Sequence, residues 1–229
     1  MLTNIEFFDI YIFLVTLFKG LGAEAGNKLY VVAFFIGSIA ICLKISKEKF
    51  SFNEFKIVTF ILIIGLLDFI VGKSTMFLFT AIALSGLKNV NENRVIKIAF
   101  WTRLFSFLLM VSLSKLNIIK DNLFLFYRDG QFVGRHTFGY GHPNQAQSAL
   151  TILIILAIYL YNEKFNIFHY IVMIIMNFYL YSLTYSRTGF LIGVLCIVLG
   201  VVQKSKKVEK IFARVFNNSY LWAVLVTLF

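Results

Sequence analysis

Long apolar runs dominate the chain, and short polar connections separate them from one end to the other. A helix needs about 20 apolar residues to cross a bilayer, or fewer where its flanks extend it. On this basis we predict eight complete membrane spans, of which the fourth and eighth are the shortest. The predicted spans are Ile5–Leu21, Leu29–Leu43, Phe52–Val71, Thr75–Leu87, Ile98–Ser114, Gln145–Tyr161, Phe165–Tyr185 and Gly189–Val202.

These runs do not alternate between apolar and polar residues, as strands that cross a membrane would. The predicted fold class is therefore all-α, a polytopic transmembrane helix bundle of about eight to nine spans that forms one transmembrane domain over residues 1–229. The ninth run, Tyr220–Phe229, is too short to cross a bilayer. We expect the chain to be truncated at its C-terminus; the other interpretation places this tail in the membrane interface.

Composition supports the membrane assignment and narrows the classes of function. The chain is 59% hydrophobic with a mean hydropathy of +0.83, whereas soluble domains are about 45–50% apolar. Lys and Arg outnumber Asp and Glu by 22 to 11. Most of this excess lies in short loops, where positive charge sets topology, so we predict no nucleic-acid partner. Cys42 and Cys196 lie within apolar runs, which argues against a disulfide or metal framework.

The outer loop 115–144 departs from the rule that cations collect on the cytoplasmic side. With the N-terminus in the cytoplasm, the inner loops contain the larger share of Lys and Arg, as that rule expects. The exceptional loop nevertheless contains Lys115, Lys120, Arg128 and Arg135. Cations retained against the topology rule are candidates for a function, so we predict that the active face is extracytoplasmic. The predicted spans make the chain a multi-pass protein of the cell membrane.

The end of this loop, GRHTFGYGHPN from Gly134 to Asn144, contains two histidines, three glycines and the only proline. Pro143 suits the first turn of a helix. Gly139 and Gly141 permit a backbone that approaches a ligand closely. The alternative interpretation is a flexible entry to a helix, with an aromatic ring in the membrane interface. The candidate site residues here are Arg135, His136, Tyr140, His142 and Asn144.

The turn YSRTG, Tyr185 to Gly189, connects the seventh and eighth predicted spans on the same outer face. Ser186 or Thr188 can cap the next helix. Arg187 would then lie beside a helix N-terminus, where free N–H groups and the helix dipole favour an anion. The alternative is an arginine whose side chain extends to the interface.

We expect Arg135 and Arg187 to converge on this face, with Arg128 as a third candidate. The planar guanidinium group matches the geometry of phosphate oxygens. An outward-facing pocket with several arginines therefore fits a lipid-linked phosphate or diphosphate.

Two further observations complete the set of candidates. Asp68, near the outer end of the third span, is either a binding residue or the partner of Lys73 in a simple ion pair. His136 and His142 are six residues apart in a loop without cysteine or a third histidine, so we predict no metal site and no cofactor.

The two motifs together resemble those of bacterial surface-polysaccharide polymerases, in the Gram-positive capsule or exopolysaccharide branch of the O-antigen polymerase and ligase superfamily. Arg135, Gly139, His142, Pro143 and Asn144 match the pattern R-x-x-x-G-x-x-H-P-N. Ser186–Gly189 matches the pattern SRTG. The remaining spans resemble the family in hydropathy only.

The resemblance implies a glycosyltransferase-type membrane fold and polymerisation of oligosaccharide repeat units carried on undecaprenyl diphosphate. It also implies that the protein contacts membrane lipid and that its protein partners are a chain-length regulator and a flippase. A sugar hydroxyl would attack C1 of the growing chain, Arg135 and Arg187 would stabilise the leaving diphosphate, and His142 would act as the base. Family members usually have more spans than this chain, and a second large outer loop nearer the C-terminus. We therefore expect the full-length protein to be an enzyme. Whether the chain of 229 residues is active stays open.

Three other functions remain open from the sequence. A ligase of the same superfamily would use the same donor and another acceptor. A transporter or flippase of lipid-linked anionic glycans would need cations that continue through the bilayer, where the predicted spans contain Arg103 and Asp68. A sensor or membrane scaffold would tolerate changes in both motifs.

Overall fold

The computed structural model describes residues 6–23, 27–72, 76–128 and 130–204. Within these ranges the chain is mostly helical. The predicted partial span Tyr220–Phe229 lies outside them. The helices are α1 (Phe7–Gly20), α2 (Lys28–Lys47), α3 (Phe52–Gly72), α4 (Met76–Ser85), α5 (Glu92–Lys115), α6 (Pro143–Tyr161), α7 (Ile167–Thr184) and α8 (Arg187–Gln203), and the strands are β1 (Leu123–Arg128) and β2 (Gln131–His136).

Five described helices are long and apolar enough to cross a membrane. They are α2, α3, α5, α7, and α6 together with a 3₁₀ turn at Asn162–Lys164. This content fits an all-α membrane bundle. Helix α8 is apolar but has 17 residues, and α1 and α4 have 14 and 10. The total of eight complete spans therefore stays a prediction.

The chain divides into two compact units. Of the described residues, the first unit contains those up to Asn122 together with Phe138–Gly141. The second contains Leu123–Thr137 and the residues from His142 onward. The motif at Gly134–Asn144 thus contributes residues to both units.

In the first unit, α1 packs against α2 and α5, and α3 packs against α4. Its buried core is formed by Phe8, Tyr11, Phe34 and Ile41. The ring of Tyr11 lies 6.1 Å from that of Phe8 and 6.0 Å from that of Phe34. These aromatic contacts add a directional preference to apolar packing.

The segment Phe138–Gly141 belongs to this first unit. The backbone N–H of Phe138 donates to a carboxylate oxygen of Asp121 at 2.9 Å, and the Tyr140 hydroxyl donates to the carbonyl of Gly20 at 3.0 Å. Gly139 has φ +81°, and a Cβ there would lie 2.2 Å from Cδ1 of Ile119. Glycine is favoured here because L side chains rarely adopt this positive φ.

The predicted outer loop contains an antiparallel β-hairpin, which was not predicted from the sequence. Phe124 lies opposite Arg135 and Phe126 opposite Val133, and the turn includes Gly130 at φ +83°. The sequence does contain a signal for it, since an Asp-Gly pair between two apolar-rich runs is typical of a tight hairpin.

Helices α6, α7 and α8 pack against one another in the second unit. At one end of the three helices, the side-chain amide of Asn162 donates to the carbonyl of Gly200 at 3.0 Å, and Tyr170 donates to Asn162 at 2.5 Å. At the other end α6 begins, α7 ends and α8 begins. Both motif turns, at His142–Asn144 and Ser186–Gly189, lie at that second end.

Candidate functional site

Arg135 donates hydrogen bonds to oxygen atoms of α6 and α7 in the second unit. It lies near the end of β2, where Nε donates to the backbone carbonyl of Thr184 at 2.7 Å. A terminal guanidinium nitrogen donates to the side-chain oxygen of Asn144 at 2.6 Å. These bonds connect β2 to the last residue of α7 and the first turn of α6. Both of these acceptors are neutral groups, and they orient the guanidinium.

His142 forms the N-cap of α6. Its Nδ1 accepts a hydrogen bond from the backbone N–H of Asn144 at 3.1 Å, and Pro143 follows as the first helical residue. Proline suits that position because its missing N–H would have no partner there. The ring of Phe124 packs against the imidazole at a centroid distance of 5.5 Å. The observed contacts therefore give His142 a positioning role at the start of the helix.

The turn after α7 reverses the chain and begins α8. Tyr185 has a left-handed conformation, φ 49° and ψ 32°, which ends α7. Ser186 is buried at the N-cap of α8, while Arg187 and Thr188 are exposed in its first turn. The side chain of Arg187 thus lies where backbone N–H groups point out of the helix.

A cavity of about 220 Å³ lies at this end of the second unit, beside the starts of α6 and α8. It contains two arginines from motifs far apart in sequence. No acidic residue is present among its described lining residues. Two arginines and the first turns of α6 and α8 lie at its wall, and both features favour the binding of an anion. The lining residues are Phe126, Val133, Arg135, Asn144, Tyr185, Ser186, Arg187 and Thr188.

A buried polar network supports this end of the bundle. Gln147 and Asn177 are fully buried, and Gln147 donates to the Asn177 side-chain oxygen at 2.7 Å. The Thr184 hydroxyl donates to Gln147 at 3.1 Å, and Asn177 donates to the carbonyl of Phe190 at 3.0 Å. Thr184 is also the residue whose carbonyl holds Arg135. The network therefore ties α6, α7 and α8 to the position of that arginine.

Gln147 and Asn177 were not among the site residues predicted from the sequence. The available signal was the presence of two side-chain amides inside apolar runs, because polar groups in membrane helices hydrogen-bond across helix interfaces. Gly193 belongs to the same arrangement: a Cβ there would lie 2.7 Å from the Asn177 side chain.

The other predicted site residues, Arg128, His136, Asp68 and Tyr140, are not among the described residues that line this cavity. Arg128 lies in β1 opposite Gln131, and its side chain is outside the described part. His136 ends β2 opposite Leu123 and is not among the described residues that line the cavity. Asp68 lies in α3 of the first unit. Tyr140, also of the first unit, is buried, and burial raises the pKa of its phenol above the usual value.

No metal site is evident in the described ranges. Among the residues of 6–23, 27–72, 76–128 and 130–204, no group of three or more His, Cys, Asp or Glu side chains is placed to hold a metal ion.

Comparison with protein-family models, with curated proteins and with solved structures found no match.

Proposed function

We propose that the second unit binds the diphosphate of a lipid-linked glycan, and that the protein polymerises oligosaccharide repeat units carried on undecaprenyl diphosphate at the outer face of the cell membrane. One observation supports this proposal above the others. Arg135 and Arg187, from the two motifs that resemble those of surface-polysaccharide polymerases, line the same cavity. A diphosphate has the charge and the oxygen geometry that paired guanidinium groups bind well.

The proposed reaction is a glycosyl transfer. A hydroxyl oxygen of the incoming repeat unit attacks C1 of the sugar at the reducing end of the growing chain. A new C1–O bond forms, the bond from C1 to the diphosphate oxygen breaks, and undecaprenyl diphosphate leaves with the bonding electrons. The hydroxyl proton passes to a base. Negative charge therefore grows on the diphosphate during the step, and stabilising that charge lowers the barrier.

Arg135 is suited to this role because it is held in place before the substrate arrives. Its bonds to the Thr184 carbonyl and the Asn144 amide orient the guanidinium at the cavity wall. Donors that are already oriented need no reorganisation as charge develops. Arg187 adds a second cation at the N-terminus of α8, where the positive end of the helix dipole also attracts an anion.

His142 has a narrower role in this proposal than in the sequence-based prediction. Its Nδ1 accepts a backbone hydrogen bond, so Nε2 carries the hydrogen of the neutral ring. In that state the side chain fixes the start of α6 and thereby places Asn144 beside Arg135. Its action as the base stays a prediction.

Polysaccharide ladders from strains with chromosomal Arg135→Ala or Arg187→Ala test the proposal. Each variant should lose about 100-fold or more in polymerisation rate and accumulate single repeat units, since removing one charge-stabilising donor commonly has that effect. Lys164→Ala is the matched control, an exposed cation at the opposite end of the α6–α8 bundle. Membrane levels of all variants are compared by immunoblot. Normal ladders in both arginine variants at normal protein levels would contradict the proposal.

A further inference from the structure

The β-hairpin of the second unit has two faces of different composition. Residues that are opposite each other in the register share a face, and successive residues of one strand alternate between faces. Phe126, Val133 and Arg135 lie on the face that lines the cavity. The other face, here called the open face, has no lysine, arginine, aspartate or glutamate among its described residues. These residues are Leu123, Leu125, Tyr127, Phe132, Gly134 and His136.

The large side chains of the open face are uncovered. Leu125 is 69% exposed, Tyr127 62% and Phe132 74%, and the ring centroids of Tyr127 and Phe132 lie 5.2 Å apart. A two-stranded hairpin gains little stability by itself in water, and contiguous exposed apolar side chains mark a protein or membrane interaction site. The open face is therefore expected to be covered by another molecule.

Contacts on the other face hold the hairpin at the ends of two helices. The ring of Phe124 packs on His142, the N-cap of α6. Arg135 donates to Asn144 in the first turn of α6 and to the carbonyl of Thr184, the last residue of α7. Both helices are long and apolar enough to cross a membrane. The end of a helix that crosses a bilayer lies near the boundary between hydrocarbon and headgroups, so the bilayer is the apolar phase nearest to the hairpin.

We propose that the open face is a membrane anchor, with Leu125, Tyr127 and Phe132 inserted among the headgroups and upper acyl chains of the protein's own bilayer. The hairpin has the division of residues that is found in elements lying flat in the membrane interface, with apolar side chains on one face and a cation on the other. Aromatic rings such as those of Tyr127 and Phe132 are typical of that interface. The anchor would hold in place the strand that contains Arg135, and it does not depend on the reaction proposed above.

Spin labels on single cysteines test this inference in the full chain, with Cys42 and Cys196 replaced by alanine and one chain in each lipid nanodisc. Leu125→Cys and Phe132→Cys place the label on the open face. Gln131→Cys is the matched control, because this exposed residue precedes Phe132 in β2 and lies on the other face. Two collision rates are measured for each label: with oxygen, which concentrates in lipid, and with a nickel chelate, which stays in water.

Labels on the open face should lose most of their collisions with the nickel chelate and keep those with oxygen, whereas the control label should collide with both. Nickel collisions equal to those of the control would place the open face in water and overturn the inference. Protection from both reagents would overturn it as well, because the face would then be covered by protein. Tyr127→Cys repeats the measurement at a third position of the same face, so the test stays decisive if one variant fails to fold.

Discussion

Arg94 in the first unit and Arg135 in the second contact oxygen atoms of different kinds. Arg94 pairs with the carboxylates of Glu6, at 3.3 Å, and Asp9. Arg135 donates to a backbone carbonyl and to the amide oxygen of Asn144. Carboxylates neutralise a guanidinium, whereas neutral oxygens orient it and preserve its attraction for an anion. The ion pairs of Arg94 thus join α5 to the start of α1, and the hydrogen bonds of Arg135 join β2 to α6 and to the end of α7.

The buried interiors of the two units differ in a related way. The first unit buries the apolar side chains of Phe8, Tyr11, Phe34 and Ile41 together with the ionisable side chains of Asp9 and Lys44. The second also buries the amides of Gln147 and Asn177 in a connected network. Apolar packing tolerates small shifts, but buried hydrogen bonds lose strength steeply when their geometry changes. The amide network of the second unit reaches Thr184, whose carbonyl accepts a hydrogen bond from Arg135, and so helps to position that arginine.

The largest expected effect comes from exchanging arginine for lysine in each unit. An ammonium group does not reproduce the forked contact with Thr184 and Asn144, so Arg135→Lys should slow the proposed polymerisation by about 10- to 100-fold. Arg94→Lys keeps a charge near two carboxylates and should leave the rate unchanged. Rates of repeat-unit addition in membranes give the comparison. Equal rates for the two variants would remove the distinction between the two arginines.

A smaller effect, on stability, is expected from Asn177→Leu. Leucine removes the acceptor for Gln147 and the donor for the Phe190 carbonyl, and leaving buried polar groups unpaired costs about 1–3 kcal/mol. Thermal unfolding in detergent measures the change. Ile175→Leu, an exposed position on the same helix, should stay within about 0.5 kcal/mol of the parent. A stability equal to the parent for Asn177→Leu would show that the network contributes little.

The smallest effect is a pH dependence in the first unit. A hydrogen bond from Lys44 holds the pKa of Glu48 below its usual value. A carboxyl group with a lowered folded pKa stabilises the fold fully above its unfolded pKa, about 4.3, and loses that contribution as the pH falls through the folded value. Glu48→Gln should therefore reduce the loss of thermal stability below about pH 4.3. Identical acid profiles for the variant and the parent would contradict this assignment.

The sequence predicted the apolar helices because hydropathy is a local property. Predicted span Phe165–Tyr185 corresponds to helix Ile167–Thr184, and predicted span Gly189–Val202 to helix Arg187–Gln203. Pro143 marked the start of α6 for a local reason as well, since it needs no hydrogen-bond partner in the first turn. The two motifs also identified the arginines that line the cavity, though as candidates only.

Tertiary structure decided the rest, because those features depend on contacts between residues far apart in the chain. The hairpin brings Arg135 to the carbonyl of Thr184, 49 residues away, and no local pattern specifies that bond. Likewise, Tyr140 lies in one motif with His142 yet belongs to the first unit, through its bond to Gly20. Composition and periodicity determined which segments are helices; packing and long-range hydrogen bonds determined which side chains share a cavity.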